Sequence, residues 1–230
     1  MTGSARWAWQ HLNYRFASPD LLDHALTHKS RAARNNERLE FLGDAVLGCA
    51  VADALYHQEQ TADEGTLSRM RALLVRRETL AELATAMSLG EQLRLGSGEL
   101  QSGGHRRSSI LADALEALIG AVFVDGGFAE AHALVQRIYA AKLADLPPPE
   151  SLKDAKTLLQ EKLQAESVAT PEYAVASETG PEHRRRFVVE CRIAEHNLLT
   201  RGKGVSRRRA EQAAAAAALQ ALDGGGPGAP

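Results

Sequence analysis

Glu40 and Asp44 are the only charged residues between Glu40 and Ala52, and Asp113 and Glu116 the only ones between Ile110 and Val124. Both stretches are apolar nearly all round, as in buried helices. A buried carboxylate is costly unless something pairs with it, and neither stretch holds a Lys or Arg. On a helix turning roughly 100° per residue, an i, i+4 pair lies about 40° apart and an i, i+3 pair about 60° apart. Each pair therefore converges on one point, with Glu37 on the same face one turn earlier. Four carboxylates with no converging His or Cys make an all-oxygen site, which suits Mg²⁺, with Mn²⁺ as a substitute, over zinc. Mg²⁺ keeps several waters and can serve phosphodiester hydrolysis. The alternative is a ferritin-like carboxylate bundle for redox chemistry. That bundle wants Glu-x-x-His on two helices, but Gly43 and Ile119 stand at the i+3 positions.

The elements that must position these acids are helical across residues 6–145. Asp20 is a candidate cap for Leu21–Thr27, and Ser108 or Ser109 for the second acidic helix. Thr66–Ala86 repeats Leu and Met at helical spacing. Gly96–Gly104 reads as a loop, and its Gly103-Gly104-His105-Arg106-Arg107 end would suit a phosphate. Asp125-Gly126-Gly127 separates the second acidic helix from Phe128–Leu143. Pro147-Pro148-Pro149 forbids a helix and reads as a stiff extended spacer. Beyond it come a helix at Ala155–Ala165, strands at Glu172–Glu178, Arg186–Ile193 and Leu198–Gly202, and a helix at Ala210–Leu222. Phe187, Val189, Cys191 and Ile193 alternate with Arg186, Val188, Glu190 and Arg192. The fold class is mainly α: an all-helical domain over residues 1–146, a Pro-rich linker at 147–151, and a small α+β domain of order α-β-β-β-α over 152–223. A Gly/Pro-rich tail at 224–230 is expected to be disordered.

With 44% hydrophobic residues in 230, the chain can build substantial cores. Net charge is 27 − 29 = −2, which points to no partner, but the halves differ. Residues 1–150 carry 15 basic and 19 acidic side chains; residues 151–223 carry 12 and 10. Cys49 and Cys191 share no metal-like spacing and read as free buried thiols in a reducing cytoplasm. No signal-peptide pattern opens the chain, and no apolar run approaches the roughly 20 residues that span a bilayer.

Ser206-Arg207-Arg208-Arg209 opens the last helix. Cations there oppose the macrodipole, whereas a bound phosphate would face both the arginines and the free N–H groups. In an α-β-β-β-α unit this is the pattern of a double-stranded-RNA-binding module, which reads shape, 2′-hydroxyls and phosphates. Arg207, Arg208 and Arg209 are then phosphate contacts. His183 in the first inter-strand turn is placed for a minor groove, and Gln160 and Glu161 for 2′-hydroxyls. Arg69, Arg71, Arg76 and Arg77 form a further basic set.

Asn36 to Leu47, reading NERLEFLGDAVL, closely resembles the signature of the ribonuclease III family. The resemblance continues at Ala25–Ser30, Gly98–Leu100, Ser102–Gly104, Ile110–Ala117 and, in the second domain, Ala210–Ala214. Ala45 departs from a common Ser, and Trp7 and Trp9 belong to no motif of that family. The resemblance implies a Mg²⁺-dependent endonuclease cutting double-stranded RNA to 5′-phosphate and 3′-hydroxyl ends. It makes Glu40, Asp44, Asp113 and Glu116 the metal-site acids, with Asp44 and Glu116 catalytic. Glu37 and Glu64 would lie near the substrate. A homodimer with Phe41 and Leu42 at its contact would cut one strand per subunit, leaving short 3′ overhangs. Processing of ribosomal RNA precursors and structured messages is the implied role. The rival is a non-catalytic RNA-binding protein that keeps the fold, against which stands the presence of all four acids.

Overall fold

The computed structural model describes residues 2–181 and 184–224, which divide into two compact units at Pro149/Glu150. The candidate His183, and residues 225–230 of the expected tail, lie outside the described residues. The first unit is helical: α1 Gly3–Leu12, α2 Pro19–Ala25, α3 Glu37–Gln58, α4 Glu64–Val75, α5 Arg77–Ala86, α6 Ser97–Gln101 and α7 Ser108–Ala144. The second holds α8 Ala155–Ala165, strands β1 Glu172–Thr179, β2 Arg186–Ile193 and β3 Leu198–Gly204, and α9 Arg207–Asp223. The fold class is thus the one read from the sequence. Among the described residues no helix is long and apolar enough to cross a membrane.

α3 and α7 form the centre of the first unit. α3 buries Leu39, Gly43, Val46, Leu47, Ala50, Val51 and Leu55 at helical spacing. A Cβ built on Gly43 would land on the carbonyl oxygen of Glu116, and one on Gly120 on the carbonyl of Leu39. The two backbones therefore touch where the acids sit. The other side of α3 is not buried, contrary to the all-round apolar pattern. Phe41 is 83% exposed, Tyr56 69%, and Ala45 and Cys49 are also exposed. Small side chains there have little area to bury, so composition overstated the core.

α7 breaks at Gly127, whose φ of 81° and ψ of −177° are non-helical. The chain therefore turns sharply at this glycine. Asp125, just before the break, accepts hydrogen bonds from the Tyr14 hydroxyl (2.9 Å) and the Ala17 and Ser18 N–H groups (2.7 and 3.0 Å). That holds the entry to α2. The α2 cap position is Ser18, with Pro19 starting the helix and Asp20 in its first turn, where its charge favours the dipole. Arg107, not Ser108 or Ser109, precedes α7, because Ser108 is already helical. In α1 the buried Trp7 indole donates to the Met87 carbonyl at 2.7 Å, satisfying an orphan acceptor at the end of α5. Trp9 is exposed beneath the Arg15 guanidinium, 4.5 Å from its ring.

A 3₁₀ turn at Pro149–Leu152 replaces the second half of the expected extended spacer; the fixed φ of proline suits either conformation. In the second unit β1, β2 and β3 are antiparallel in that order, with Cys191 opposite both Tyr173 and Thr200. The strand alternation holds: Val189, Cys191 and Ile193 are buried, with Leu159 and Leu163 of α8 and Ala214, Ala215 and Ala218 of α9 completing the core. Gly202 lets α9 lie directly on β3, since a Cβ there would strike the α9 backbone. α9 starts three residues earlier than the apolar pattern, at Arg207, with the Ser206 side chain capping the Arg209 N–H.

The α3–α7 contact makes a direct prediction. Gly43→Ala should destabilise the chain by about 1–3 kcal/mol through overpacking, read as a lower midpoint of thermal unfolding. Gly48→Ala on the same helix, where the added Cβ meets open space, should leave that midpoint nearly unchanged.

Candidate active site

Glu40 of α3 and Asp113 and Glu116 of α7 each offer a carboxylate oxygen within 4.8 Å of the others, and all three side chains are half-buried. Asp44 does not join this group. It is exposed, as are its helix neighbours Phe41 and Ala45, whereas Gly43 and Leu39 are the α3 residues that meet the α7 backbone. The four-acid convergence expected from helix spacing is therefore three acids with Asp44 as a charged neighbour. Burial, then the charges of Asp44, Asp113 and Glu40, push Glu116 up to about 8. Burial raises Glu40 as well, followed by the charge of Asp113. Asp113 is raised by burial against the opposing pull of Arg77, Lys29 and His28.

The acids are thus not without bases. Their counter-charges come from other elements: Lys29 precedes α3 and Arg77 opens α5. Lys29 donates to Glu37 at 2.9 Å, which holds the Glu37 carboxyl below its usual range. Asn36 is buried. Its N–H donates to the Thr27 carbonyl and its carbonyl accepts from the Glu40 N–H, both at 2.9 Å, so it ties this basic segment to the first acid. Lys29 lies within the Ala25–Ser30 motif, which signals it; Arg77 belongs to the basic set Arg69, Arg71, Arg76 and Arg77, which nothing in the sequence pattern connects with the acids. Three hard oxygen donors held together with surplus negative charge fit a divalent cation such as Mg²⁺ or Mn²⁺.

Glu64 opens α4 and accepts from the Ser68 hydroxyl at 2.8 Å, outside the three-acid group. Phe41 is exposed and Leu42 half-buried. Cys191 is a buried free thiol, whereas Cys49 is exposed, on the open side of α3. In the second unit Gln160 is exposed and Glu161 pairs with Lys153 at 2.6 Å. Arg207 pairs with Glu211 at 2.9 Å, which offsets the unfavourable cation at the helix start. Among the described residues Arg208 and Arg209 make no ion pair, and both are exposed. Lys156, Thr157, Gln160, Arg207 and Arg208 line one groove.

Residues 18–143 match a family model described as Ribonuclease-III-like, and residues 155–222 match the double-stranded RNA binding motif. The chain is 55% identical over 213 residues to Ribonuclease 3 of Thiobacillus denitrificans, covering 93% of this chain and 94% of that protein. It is 54% identical over 211 residues to Ribonuclease 3 of Ralstonia nicotianae, covering 92% and 82%. Among solved structures, the nuclease domain of a ribonuclease III from Campylobacter jejuni superposes with a TM-score of 0.60 at 40% identity, covering 64% of this chain and all of that one. A second structure of that domain gives 0.58 at 43%, covering 59% and 95%, and is described by flexibility in a region involved in dimer formation.

A carboxyl raised from 4.5 to about 8 weakens the fold as it ionises, so metal-free stability falls as pH rises through that interval. Glu116→Gln should remove this penalty. Without metal its unfolding midpoint should match wild type near pH 4.5 and exceed it at pH 8.5 by roughly 2–4 °C for each kcal/mol relieved. A pH-independent difference would contradict the placement of Glu116 among like charges.

Proposed function

The chain belongs to the ribonuclease III family, and on that footing we propose that it is a divalent-metal-dependent endonuclease that hydrolyses double-stranded RNA. The convergence of the Glu40, Asp113 and Glu116 oxygens carries this reading. These three would hold Mg²⁺, with Mn²⁺ as a substitute, and exposed Asp44 would complete the acidic site from the solvent side. The bound ion would supply an activated water and neutralise charge on the phosphodiester oxygens. Glu116, most strongly raised of the site acids, is the group to hold or release a proton there. Lys29 and Arg77 temper the repulsion between the acids and an incoming phosphate. Cleavage would leave 5′-phosphate and 3′-hydroxyl ends, and the role would be processing of ribosomal RNA precursors and structured messages in the cytoplasm.

The second unit would supply the duplex grip. Gln160 and Glu161 of α8 would meet 2′-hydroxyls, and Arg207, Arg208 and Arg209 phosphates; His183 belongs to the same proposal. Glu37 and Glu64 would border the substrate in the first unit. The exposed apolar stripe of α3, from Phe41 and Leu42 through Ala45 and Cys49 to Tyr56, supports a homodimer, since such a stripe marks an interaction face. A two-fold pair would bring two sites to one duplex, one for each strand.

Two measurements test this. Incubated with long duplex RNA and Mg²⁺, the wild-type chain should yield short duplexes with 3′ overhangs, while Glu116→Gln should bind and leave the RNA intact. Wild type that binds duplex without cutting would make the chain a binding protein only. Separately, Arg208→Ala with Arg209→Ala should weaken duplex binding with little sequence bias. The same pair should flatten its salt dependence, by about one in log–log slope for each phosphate no longer neutralised. An unchanged slope would show that these arginines do not touch phosphates.

A further inference from the structure

α8 and α9 meet across an interface whose α9 side is made of small residues in its N-terminal half. α8 presents Leu159 and Leu163, and α9 presents buried Ala214, Ala215 and Ala218, with half-buried Leu219 and Leu222 toward its far end, where Lys162 pairs with Asp223 at 2.6 Å. Helix offsets are set by ridges seated in grooves, and an alanine face has shallow ridges. A polar clamp sits at one end of this interface. The Lys156 N–H, an orphan donor of the first turn of α8, donates to the Gln212 side-chain oxygen at 3.2 Å. The Lys156 ammonium donates to one Glu211 carboxylate oxygen at 2.8 Å, and Arg207 Nε to the other at 2.9 Å. The same ammonium lies 4.4 Å over the Tyr173 ring of β1. The Glu211 side chain is only 13% exposed. One carboxylate and one amide from the second turn of α9 thus hold the first turn of α8.

We propose that Glu211 and Gln212 are positioning residues for duplex binding, locking the axial offset between α8 and the N-terminus of α9. The inference rests on the duplex-binding reading of the second unit. A-form RNA presents its minor groove and phosphates at fixed separations, so contacts from two helices act together only when their offset matches. Fixing register is the best-attested use of a buried ionic group. Charge alone argues the other way. A carboxylate beside a phosphate site repels RNA and neutralises two cations that would attract it. The sign of the effect of removing Glu211 therefore separates the two accounts.

The test measures binding of the full chain, in EDTA, to an RNA duplex of about 20 base pairs, longer than the roughly 16 that one module spans. Glu211→Ala should weaken binding about tenfold, although it unmasks Lys156 and Arg207. Glu211→Gln, which keeps the shape but offers one acceptor oxygen in place of two, should recover part of that loss. Gln212→Ala should weaken binding in the same direction. With Mg²⁺ present, KM for duplex cleavage should rise with Glu211→Ala while kcat changes less than about twofold. Binding by Glu211→Ala as tight as wild type, or tighter, overturns the clamp. If thermal unfolding shows that Glu211→Ala is not folded, Gln212→Ala decides, and full affinity in that variant overturns it equally. A wild-type chain that binds no duplex refutes the duplex-binding reading itself, and the clamp falls with it.

Discussion

The backbone contact between α3 and α7 at Gly43 and Gly120 governs the rest of the first unit. With no Cβ at either position the helices approach until main chain meets main chain. A larger residue at either point would push the axes apart, and the Glu40 carboxylate would leave the reach of Asp113 and Glu116. The glycine between Leu42 and Asp44 is therefore as much a part of the acidic site as the acids, though it carries no chemistry. The apolar residues of α3 and α7 supply the driving force for this contact, and the glycines decide how close it becomes.

Close approach has an electrostatic consequence. Three carboxylates brought together while half-buried resist ionisation, Glu116 most of all, because burial and neighbouring charge act in the same direction. Lys29 and Arg77 soften this without cancelling it. The site is left short of positive charge, the condition a divalent cation satisfies. The second unit solves the opposite problem. Its cations crowd the start of α9, and Glu211 takes up two of them, Lys156 and Arg207, while Arg208 and Arg209 stay exposed. One unit concentrates negative charge between α3 and α7, and the other displays positive charge at the start of α9.

Much of this was legible in the sequence, for local reasons. Period-two alternation in Arg186–Ile193 and helical spacing in Ala155–Ala165 gave those elements with the bounds the structure has. Apolar runs interrupted by acids identified the two helices that meet. What escaped depends on residues far apart in the chain. Asp44 shares a helix face with Glu40, yet the path of the α7 contact leaves it outside the three-acid group. Arg77 and Lys29 act on acids in other elements, which no window along the chain reveals. Ala45, Gly48 and Cys49 look equally apolar whether buried or open, so the exposed stripe of α3 and the exposed Cys49 thiol were hidden. Helix starts moved because Pro19 and Ser108 entered their helices and left the capping positions to Ser18 and Arg107.

α3 and α7 together bring three carboxylates to one point, an arrangement that suits a divalent ion. Calorimetric titration of the metal-free chain with Mg²⁺ at pH 7, in two buffers of different ionisation enthalpy, tests it most directly. Saturable binding at the acidic site is expected, with release of about one proton, because Glu116 must ionise to serve as a ligand. Absence of saturable binding, or binding with no proton released, would contradict it.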